Sequence, residues 1–281
     1  MASAAKSANP VDLKGIFGLE PKKAVAYLES KGYAITWNWQ EMLDQAHDQS
    51  FTVAKAMRLD LLSDIRSALE TALQDGQTLK QFIAALQPTL ESQGWWGKQV
   101  IVDSQGVGEL VQLGSPRRLK TIYQTNLQSA YMAGRKATME DTADSHPYWR
   151  YIAILDSKTR PSHAILNGTV YRHDDPVWLA IYPPNGFNCR CRVTAMTKSA
   201  VNRRGFTVAS SAGQLRNETV ETGIDKRTGA IRTAEVTVLQ AKDSAGKAFS
   251  FRTDPGFNHA PGNGLNEALK RKQANASLPE T

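Results

Sequence analysis

The chain has 281 residues, of which 41% are hydrophobic, and it carries a formal net charge of +7 with a pI near 9.4. This length predicts one large domain or two smaller ones, and no run approaches the ~18 apolar residues of a membrane span. The first residues lack the apolar segment of a secretory signal, so we expect the protein to fold in a cytoplasm. The positive charge permits contact with nucleic acid or an acidic protein surface and proves neither.

Up to about residue 140 the hydrophobic pattern is helical. Residues 21–31 predict one short helix. A capping box formed by Thr78 and Gln81 predicts the start of another helix, which Pro88 is expected to kink or end. Between them, Gly76 is a suitable C-terminal stop for a longer helix. The apolar residues of that longer helix recur at every fourth position and so share one face: Met57, Leu61, Ile65, Leu69 and Leu73.

A further helix is predicted over residues 116–136, and its first turn is rich in cations. Positive charges there oppose the helix dipole. Either they form a solvated basic face, or they meet an anionic partner such as a phosphate or an acidic protein patch. The candidate contacts for an anion or a partner are Arg117, Arg118, Lys120, Arg203 and Arg204.

Beyond about residue 141 the pattern changes to short runs typical of strands. The runs that predict strands are 148–155, 168–172, 190–196, 236–240 and 248–251. The predicted fold is therefore α+β, with an N-terminal helical region packed against a small antiparallel β-sheet domain and followed by an extended C-terminal tail. We place the domain boundaries at 1–140, 141–253 and 254–281, and we expect a charged helix at 265–272 in the tail.

A segment of about 37 positions contains both cysteines of the chain together with candidate partners for metal binding. Cys189 and Cys191 share one face if the residue between them lies in a strand, with His163 and His173 as third and fourth ligands. Structural zinc sites favour Cys-x₂₋₄-Cys spacing, which this pair lacks, and a disulfide between such near neighbours is strained. The sequence therefore predicts packed, reduced thiols, with no bound metal and no cofactor.

Two catalytic interpretations of the same segment are weaker. Cys189 or Cys191 could act as a nucleophile with His163 as base, but no hydrolase motif surrounds either thiol. The pair Asp174–Asp175 precedes a proline, as in a turn. A metal- or thiol-dependent hydrolase is kept as the alternative function.

A braced loop explains more of the residues in this segment. Asp156 can accept N–H groups of Lys158 and Thr159 in an Asx-type turn. The guanidinium of Arg160 can tie loop carbonyls or Asp156 itself. Residues 183–186 read Pro-Pro-Asn-Gly, a rigid turn whose asparagine or glycine is free to take a positive φ.

These residues also carry a resemblance. The segment resembles the phage Mu F-like family of phage head morphogenesis proteins, whose hallmark is an Asp-x-x-Thr-Arg/Cys-Pro turn, a strand containing glycine, and Pro-Pro-x-x-x-x-Cys-Arg-Cys. Outside it, residues 94–97 (Gly-Trp-Trp-Gly) and 254–257 (Asp-Pro-Gly-Phe) are similar to further family elements. The hallmark positions here are Asp156, Thr159, Arg160, Pro161, His163, Gly168, Pro183, Pro184, Asn188, Cys189, Arg190 and Cys191.

The resemblance implies a minor head protein of a tailed phage or prophage rather than an enzyme. Its expected partners are the portal protein, the scaffold or major capsid protein and, given the basic charge, packaged DNA, with no membrane contact. Its expected location is the head interior or portal vertex of the virion, and the host cytoplasm during assembly. Many relatives have a Cys-x-x-Cys pair where this chain has residues 160–163, so the resemblance does not carry a metal site over to this chain.

Overall fold

The computed structural model describes residues 22–102, 108–225, 228–242, 246–267 and 269–270. Helices and small sheets both contribute to these residues, so the predicted α+β class is confirmed. No helix in these ranges is both long enough and apolar enough to cross a membrane. The helices are α1 (Lys22–Glu29), α2 (Ala46–Gln49), α3 (Leu59–Asp75), α4 (Leu79–Ser92), α5 (Pro116–Asp141), α6 (Pro161–Ala164), α7 (Val177–Ile181) and α8 (Lys198–Arg203), with a 3₁₀ turn at Trp39–Glu41.

The strands pair into small sheets. Their bounds are β1 (Gly32–Tyr33), β2 (Ser50–Phe51), β3 (Lys98–Val102), β4 (Gly108–Gln112), β5 (Tyr148–Ile152), β6 (Val170–Arg172), β7 (Arg192–Met196), β8 (Val208–Ala209), β9 (Leu215–Ile224), β10 (Ile231–Lys242) and β11 (Ala248–Arg252). Two short strands, β1 and β2, pair in parallel, and β3 and β4 form an antiparallel hairpin. A mixed sheet has the order β7-β5-β6-β8, and an antiparallel sheet has the order β11-β10-β9.

The predicted apolar face of α3 is largely confirmed. Four of its five residues are buried in the helical core, whereas Met57 is 49% exposed. Met57 lies before the helix, because Arg58 is the extended N-cap residue. The helix ends at Gly76, whose φ of 63° is the left-handed conformation that glycine adopts readily. The four buried residues are Leu61, Ile65, Leu69 and Leu73.

Helix α4 starts as predicted and ends later than predicted. The Thr78 side chain accepts from the Gln81 backbone, and the Gln81 side chain accepts from the Thr78 backbone. Pro88 does not end the helix, which continues to Ser92. Leu86 and Leu90 flank the proline and are both buried in the core. Their burial offsets the backbone hydrogen bond that proline cannot donate.

Helix α5 is the longest described helix, with 26 residues. Ser115 caps the start of the helix by accepting from the Arg118 backbone N–H. The helix continues to Asp141, beyond the predicted end at Lys136. It packs closely on α1, since a Cβ added at Gly134 would lie 2.9 Å from the Ala24 nitrogen. Only glycine allows the two backbones to approach this closely.

Several β features were not predicted correctly. The β6–β8 pair is parallel, so the prediction of an antiparallel sheet is wrong for that pair. The β3–β4 hairpin and strand β9 were missed. In β9 most side chains are exposed, so there is little hydrophobic alternation to recognise. The hairpin projects three large apolar side chains into solvent: Val100, Val102 and Leu110, each at least 60% exposed.

The hydrophobic interior consists of two large clusters that meet along α5. One cluster lies among the helices, and the other lies between the β5 sheet, α7 and the β10–β11 strands. Leu127 belongs to the first, and Met132 and Met139 belong to the second. The described part of the tail lies against both clusters through Ala260 and Leu265. The division at 140 and 253 stays a prediction. Residues 265–267 and 269–270 of the helix expected at 265–272 are helical, and the rest of it lies outside the described residues.

Candidate functional site

The segment rich in cysteine and arginine folds into a cluster of loops at one end of β5. The loop after β5 leads into α6, the loop after α7 leads into β7, and the chain after β11 crosses both. These three stretches are far apart in sequence and meet through side chains, so we call them the loop cluster: residues 154–163, 183–191 and 254–257.

Asp156 is held by an arginine, but not by the one that was expected. Its carboxylate accepts from both terminal nitrogens of Arg190 at 2.6 and 2.8 Å, and from the Lys158 backbone at 3.0 Å. The predicted Asx turn is therefore present at Lys158, whereas the Thr159 N–H donates to the main-chain carbonyl of Asp156 rather than to its carboxylate. The Arg190 guanidinium holds the pKa of Asp156 well below its usual range. The carboxylate is consequently ionised and fixed at neutral pH.

Arg160 makes the second brace, with a partner that lies outside the predicted segment. Its guanidinium donates to the Asp254 carboxylate and, at 3.1 Å, to the Phe187 carbonyl. The prediction that it could tie Asp156 is wrong, whereas the prediction of a loop carbonyl is confirmed. Gly186 lies against this pair, because a Cβ there would be 2.2 Å from Asp254 Oδ2. A larger residue here would therefore displace the Asp254 carboxylate or the Arg160 guanidinium.

The turn from Pro183 to Gly186 differs in detail from the prediction. The positive φ expected at its asparagine or glycine occurs instead at Asn188, with φ 61°. Asn185 is completely buried, and its amide donates to the Tyr151 hydroxyl and the Ile181 carbonyl, each at 2.9 Å. Asn188 turns the chain so that both following cysteines face inward.

His163, Cys189 and Cys191 come together in the interior of the cluster. They are 4%, 8% and 2% exposed, and both cysteines are free thiols. His163 Nδ1 lies 3.6 Å from the sulfur of Cys189 and 3.8 Å from that of Cys191. His173, which was considered as a fourth ligand, lies elsewhere and packs on Trp149 with ring centroids 6.3 Å apart. We call the three buried residues the Cys₂His triad.

The two thiols differ in acidity. Their mutual hydrogen bond raises the pKa of Cys189, and burial adds to this effect. The same hydrogen bond lowers the pKa of Cys191, which also accepts from the Tyr151 hydroxyl. Cys191 is therefore the sulfur that holds negative charge more readily.

A cavity of about 220 Å³ opens over the triad. Arg160, Arg190 and Lys158 line its mouth, and both cysteines and His163 lie at its inner end. The cavity is thus polar and positively charged at the rim, with soft ligand atoms inside. It leaves room for water or a small group beside the triad.

Three other expected positions have clear structural roles. Gly168 has a φ of 89°, a conformation that favours glycine. Asp175 accepts from the Val177 backbone at 3.0 Å, and Asp174 pairs with Arg172 at 2.9 Å. The prediction of turn chemistry for this acidic pair is therefore confirmed.

The candidate anion contacts fall into two groups. Arg117, Lys120, Arg203 and Arg204 are exposed. Arg118 instead donates to the carbonyls of residues 54, 112 and 113 and stacks on an aromatic ring. Burial lowers the pKa of Arg118 to about 10. Arg118 thus already has internal partners, and contact with an anion stays a prediction for the set.

The fold and the loop cluster define an α+β protein built around an Asp-x-x-Thr-Arg turn and a Cys-Arg-Cys segment. Residues 63–194 match the family described as Phage Mu protein F like protein. Over these residues the chain is of the phage Mu F-like family, and the resemblance seen in the sequence is confirmed.

Two relatives show how far the likeness extends. A protein of Escherichia phage Mu, named as a proposed capsid assembly protein F, is 45% identical over 93% of this chain and 59% of its own length. The Mu-like prophage FluMu F protein of Haemophilus influenzae is 45% identical over 85% of this chain and 56% of its own length. The chain thus spans less than two thirds of either relative. No solved structure matches it.

Some contacts of the cluster were not predicted from the sequence. Tyr151 and Asn185 form a buried hydrogen-bonded pair behind the cysteines. Asp254 supplies the carboxylate for Arg160. Asp254 begins the Asp-Pro-Gly-Phe element, so its similarity to the family already indicated that this position matters. Neither periodicity nor spacing could join it to an arginine 94 positions away.

Proposed function

We propose that this chain is a minor head protein of a tailed phage or prophage and that it acts in prohead assembly without catalysing a reaction. The observation that carries the proposal is the 45% identity across 93% of this chain to the phage Mu protein named for capsid assembly. Because the chain spans 59% of that relative, the role of the whole protein is part of the proposal.

The contacts in the loop cluster support a structural role. Asp156 pairs with Arg190, and Arg160 pairs with Asp254. Each carboxylate and guanidinium is thereby directed at another loop. A hydrolase would use such groups on a substrate, whereas a braced loop uses them on each other. This arrangement favours assembly over the hydrolase alternative.

The proposed partners are the portal protein and the scaffold or major capsid protein, met in the host cytoplasm and retained in the virion. The β3–β4 hairpin supports a protein partner, since its apolar side chains are exposed. Exposed apolar patches on proteins often indicate a protein–protein interaction site. The cluster of Val100, Val102 and Leu110 is therefore the first surface to test.

The assembly role is tested by complementation. The gene is deleted in the phage or prophage that encodes it, and heads are counted by electron microscopy after the wild-type or variant chain is supplied. The proposal expects few or no normal heads without the chain, and its density in intact particles at the portal vertex or head interior. Normal heads in the deletion would overturn the proposal.

The hairpin is tested in the same assay. Val100→Ser with Leu110→Ser should reduce incorporation into heads while the purified variant stays folded. Ile224→Ser with Ile231→Ser is a matched control, because this cross-strand pair of β9 and β10 is also exposed, at 67% and 57%. Equal incorporation of the two variants would remove the hairpin from the proposal.

DNA contact is the second part of the proposal and rests on the exposed basic residues. Binding should weaken steeply as salt rises, because phosphate contacts release counterions. Arg117→Ala with Lys120→Ala should reduce the slope of log K against log salt by about 2, since each phosphate contact contributes about 0.9. Lys80→Ala with Lys98→Ala is the charge-matched control. If DNA binding is absent, or does not weaken as salt rises, DNA is removed from the proposal and only the protein partners remain.

A further inference from the structure

We propose that His163, Cys189 and Cys191 bind one zinc ion, which joins α6 to the loop that precedes β7. The histidine comes from α6 and both cysteines come from the loop that precedes β7, and their ligand atoms all lie within 4.8 Å of one another. This site goes beyond the assembly role and revises the expectation of no bound metal. That expectation relied on spacing along the chain, whereas the ligands are gathered by folding.

The distances in the triad match zinc coordination. Zinc binds cysteine sulfur at about 2.3 Å and histidine nitrogen at about 2.0–2.1 Å in a tetrahedron, which places sulfur and nitrogen about 3.6 Å apart. The nitrogen of His163 lies 3.6 and 3.8 Å from the two sulfurs. An ion can therefore enter between these atoms with almost no movement of the backbone.

The ligand types select the metal. Thiolate sulfur is a soft ligand and imidazole suits zinc, whereas magnesium and calcium require oxygen. Two thiolates also balance the charge of the ion. The nearby Arg160 and Arg190 are already paired with carboxylates, so the metal site adds no uncompensated charge to the interior.

Groups behind the ligands are arranged to orient them. The Asn185 amide donates to the Tyr151 hydroxyl at 2.9 Å, and both residues are buried in the same apolar cluster as the two cysteines or directly against it. Metal ligands are commonly fixed by polar groups placed behind them in this way.

The fourth coordination position faces the cavity. No fourth histidine, cysteine or carboxylate joins the triad within the described residues. The cavity of about 220 Å³ has room for a water molecule at this position. Water therefore completes the tetrahedron, and the ion takes the place of the disulfide that Cys189 and Cys191 are too close in sequence to form.

Zinc content of the purified full chain is the first test. The protein is prepared under reducing conditions without chelator, and metal is measured by mass spectrometry. We expect about one zinc per chain, close to none in Cys189→Ser with Cys191→Ser, and an unchanged value in His173→Gln, whose histidine lies outside the triad. Wild-type protein that is folded and free of zinc, or serine variants that keep it, would overturn the proposal.

Cobalt substitution keeps the test decisive if the serine variants fail to fold. Metal-free wild-type chain is titrated with Co²⁺ and its absorption is recorded. We expect intense thiolate-to-cobalt bands that saturate at one equivalent and disappear when Zn²⁺ is added. A folded chain that gives only the weak spectrum of aqueous cobalt would show that the triad does not bind metal. Head assembly could still succeed in that case, so the two proposals fail separately.

Discussion

The helical core and the loop cluster are held together by different forces. In the helices, aliphatic side chains recur at helical spacing and exclude water along continuous faces. In the loop cluster, arginine–carboxylate pairs, a buried amide and the Cys₂His triad join stretches distant in sequence. The first kind of interaction depends on volume and tolerates similar apolar residues. The second depends on atom type and geometry, which explains why the motifs of this chain concentrate there.

Truncating a core leucine should have the largest effect on stability. Leu69 is 0% exposed on the inner face of α3, so Leu69→Ala should lower the unfolding free energy by about 2–5 kcal/mol. Leu59→Ala in the same helix is the control, since Leu59 is 57% exposed and a change of about 0.5 kcal/mol or less is expected. Urea denaturation measures both. Similar losses of unfolding free energy in the two variants would contradict the burial of Leu69 in the helical core.

Acid should weaken the helical side before the loop cluster. Burial, with Lys31 and His259 nearby, lowers the pKa of His47 from 6.5 to about 4. Between these values the unfolded chain binds more protons than the folded chain. The unfolding free energy should therefore fall by up to about 1.4 kcal/mol per pH unit as the pH drops from 6.5 to 4.

His47→Gln should flatten this acid dependence, whereas His146→Gln should leave it in place. The carboxylate of Asp156 contributes in a lower range. Its folded pKa is depressed, so its contribution is present above the ordinary carboxyl pKa and is lost only as the pH falls below that value. An unfolding free energy that is constant between pH 6.5 and 4 would contradict the assigned state of His47.

Removing the buried amide of Asn185 tests the polar contacts that hold the loop cluster together. Asn185→Ala removes a donor from the Tyr151 hydroxyl and the Ile181 carbonyl. Leaving buried polar atoms without partners should cost about 1–3 kcal/mol. The control is Asn202→Ala, because Asn202 is exposed on α8 and a small change is expected. Equal unfolding free energies for the two variants would show that the buried pair contributes little.

Replacing the Arg160 fork should have the smallest effect. Lysine cannot reach both Asp254 and the Phe187 carbonyl as the planar guanidinium does. Both partners of the ion pair are about 40% exposed, so Arg160→Lys should cost less than about 1 kcal/mol. A double-mutant cycle with Asp254→Asn measures the coupling. Arg172→Lys in the exposed pair with Asp174 serves as the control. A coupling free energy of zero between Arg160 and Asp254 would show that this ion pair does not stabilise the fold.

Local order was easier to predict from the sequence than distant contacts. Regular spacing located α3, and a capping box located the start of α4, because both depend on neighbouring residues. The continuation through Pro88 depends on core burial at Leu86 and Leu90, which the local pattern does not report.

In the loop cluster too, local structure could be predicted from the sequence and contacts between distant residues could not. The Asx turn at Asp156 is local and was predicted, whereas the partners of Arg160 and Arg190 depend on the whole fold. The Cys₂His triad was considered from the sequence and set aside on spacing. Asn188 then turns the chain with a positive φ and brings both cysteines to His163. The prediction placed Arg190 in a strand, whereas β7 begins only at Arg192.

We propose that the loop cluster is a structural core used in assembly. The most direct test measures head yield against unfolding free energy for variants of its buried residues: His163→Ala, Asn185→Ala, Cys189→Ala and Cys191→Ala. We predict that head yield falls in step with the folded fraction, because these side chains act by holding the loops. A variant that is as stable as the wild type and yields no heads would contradict the claim and would point to chemistry at the triad.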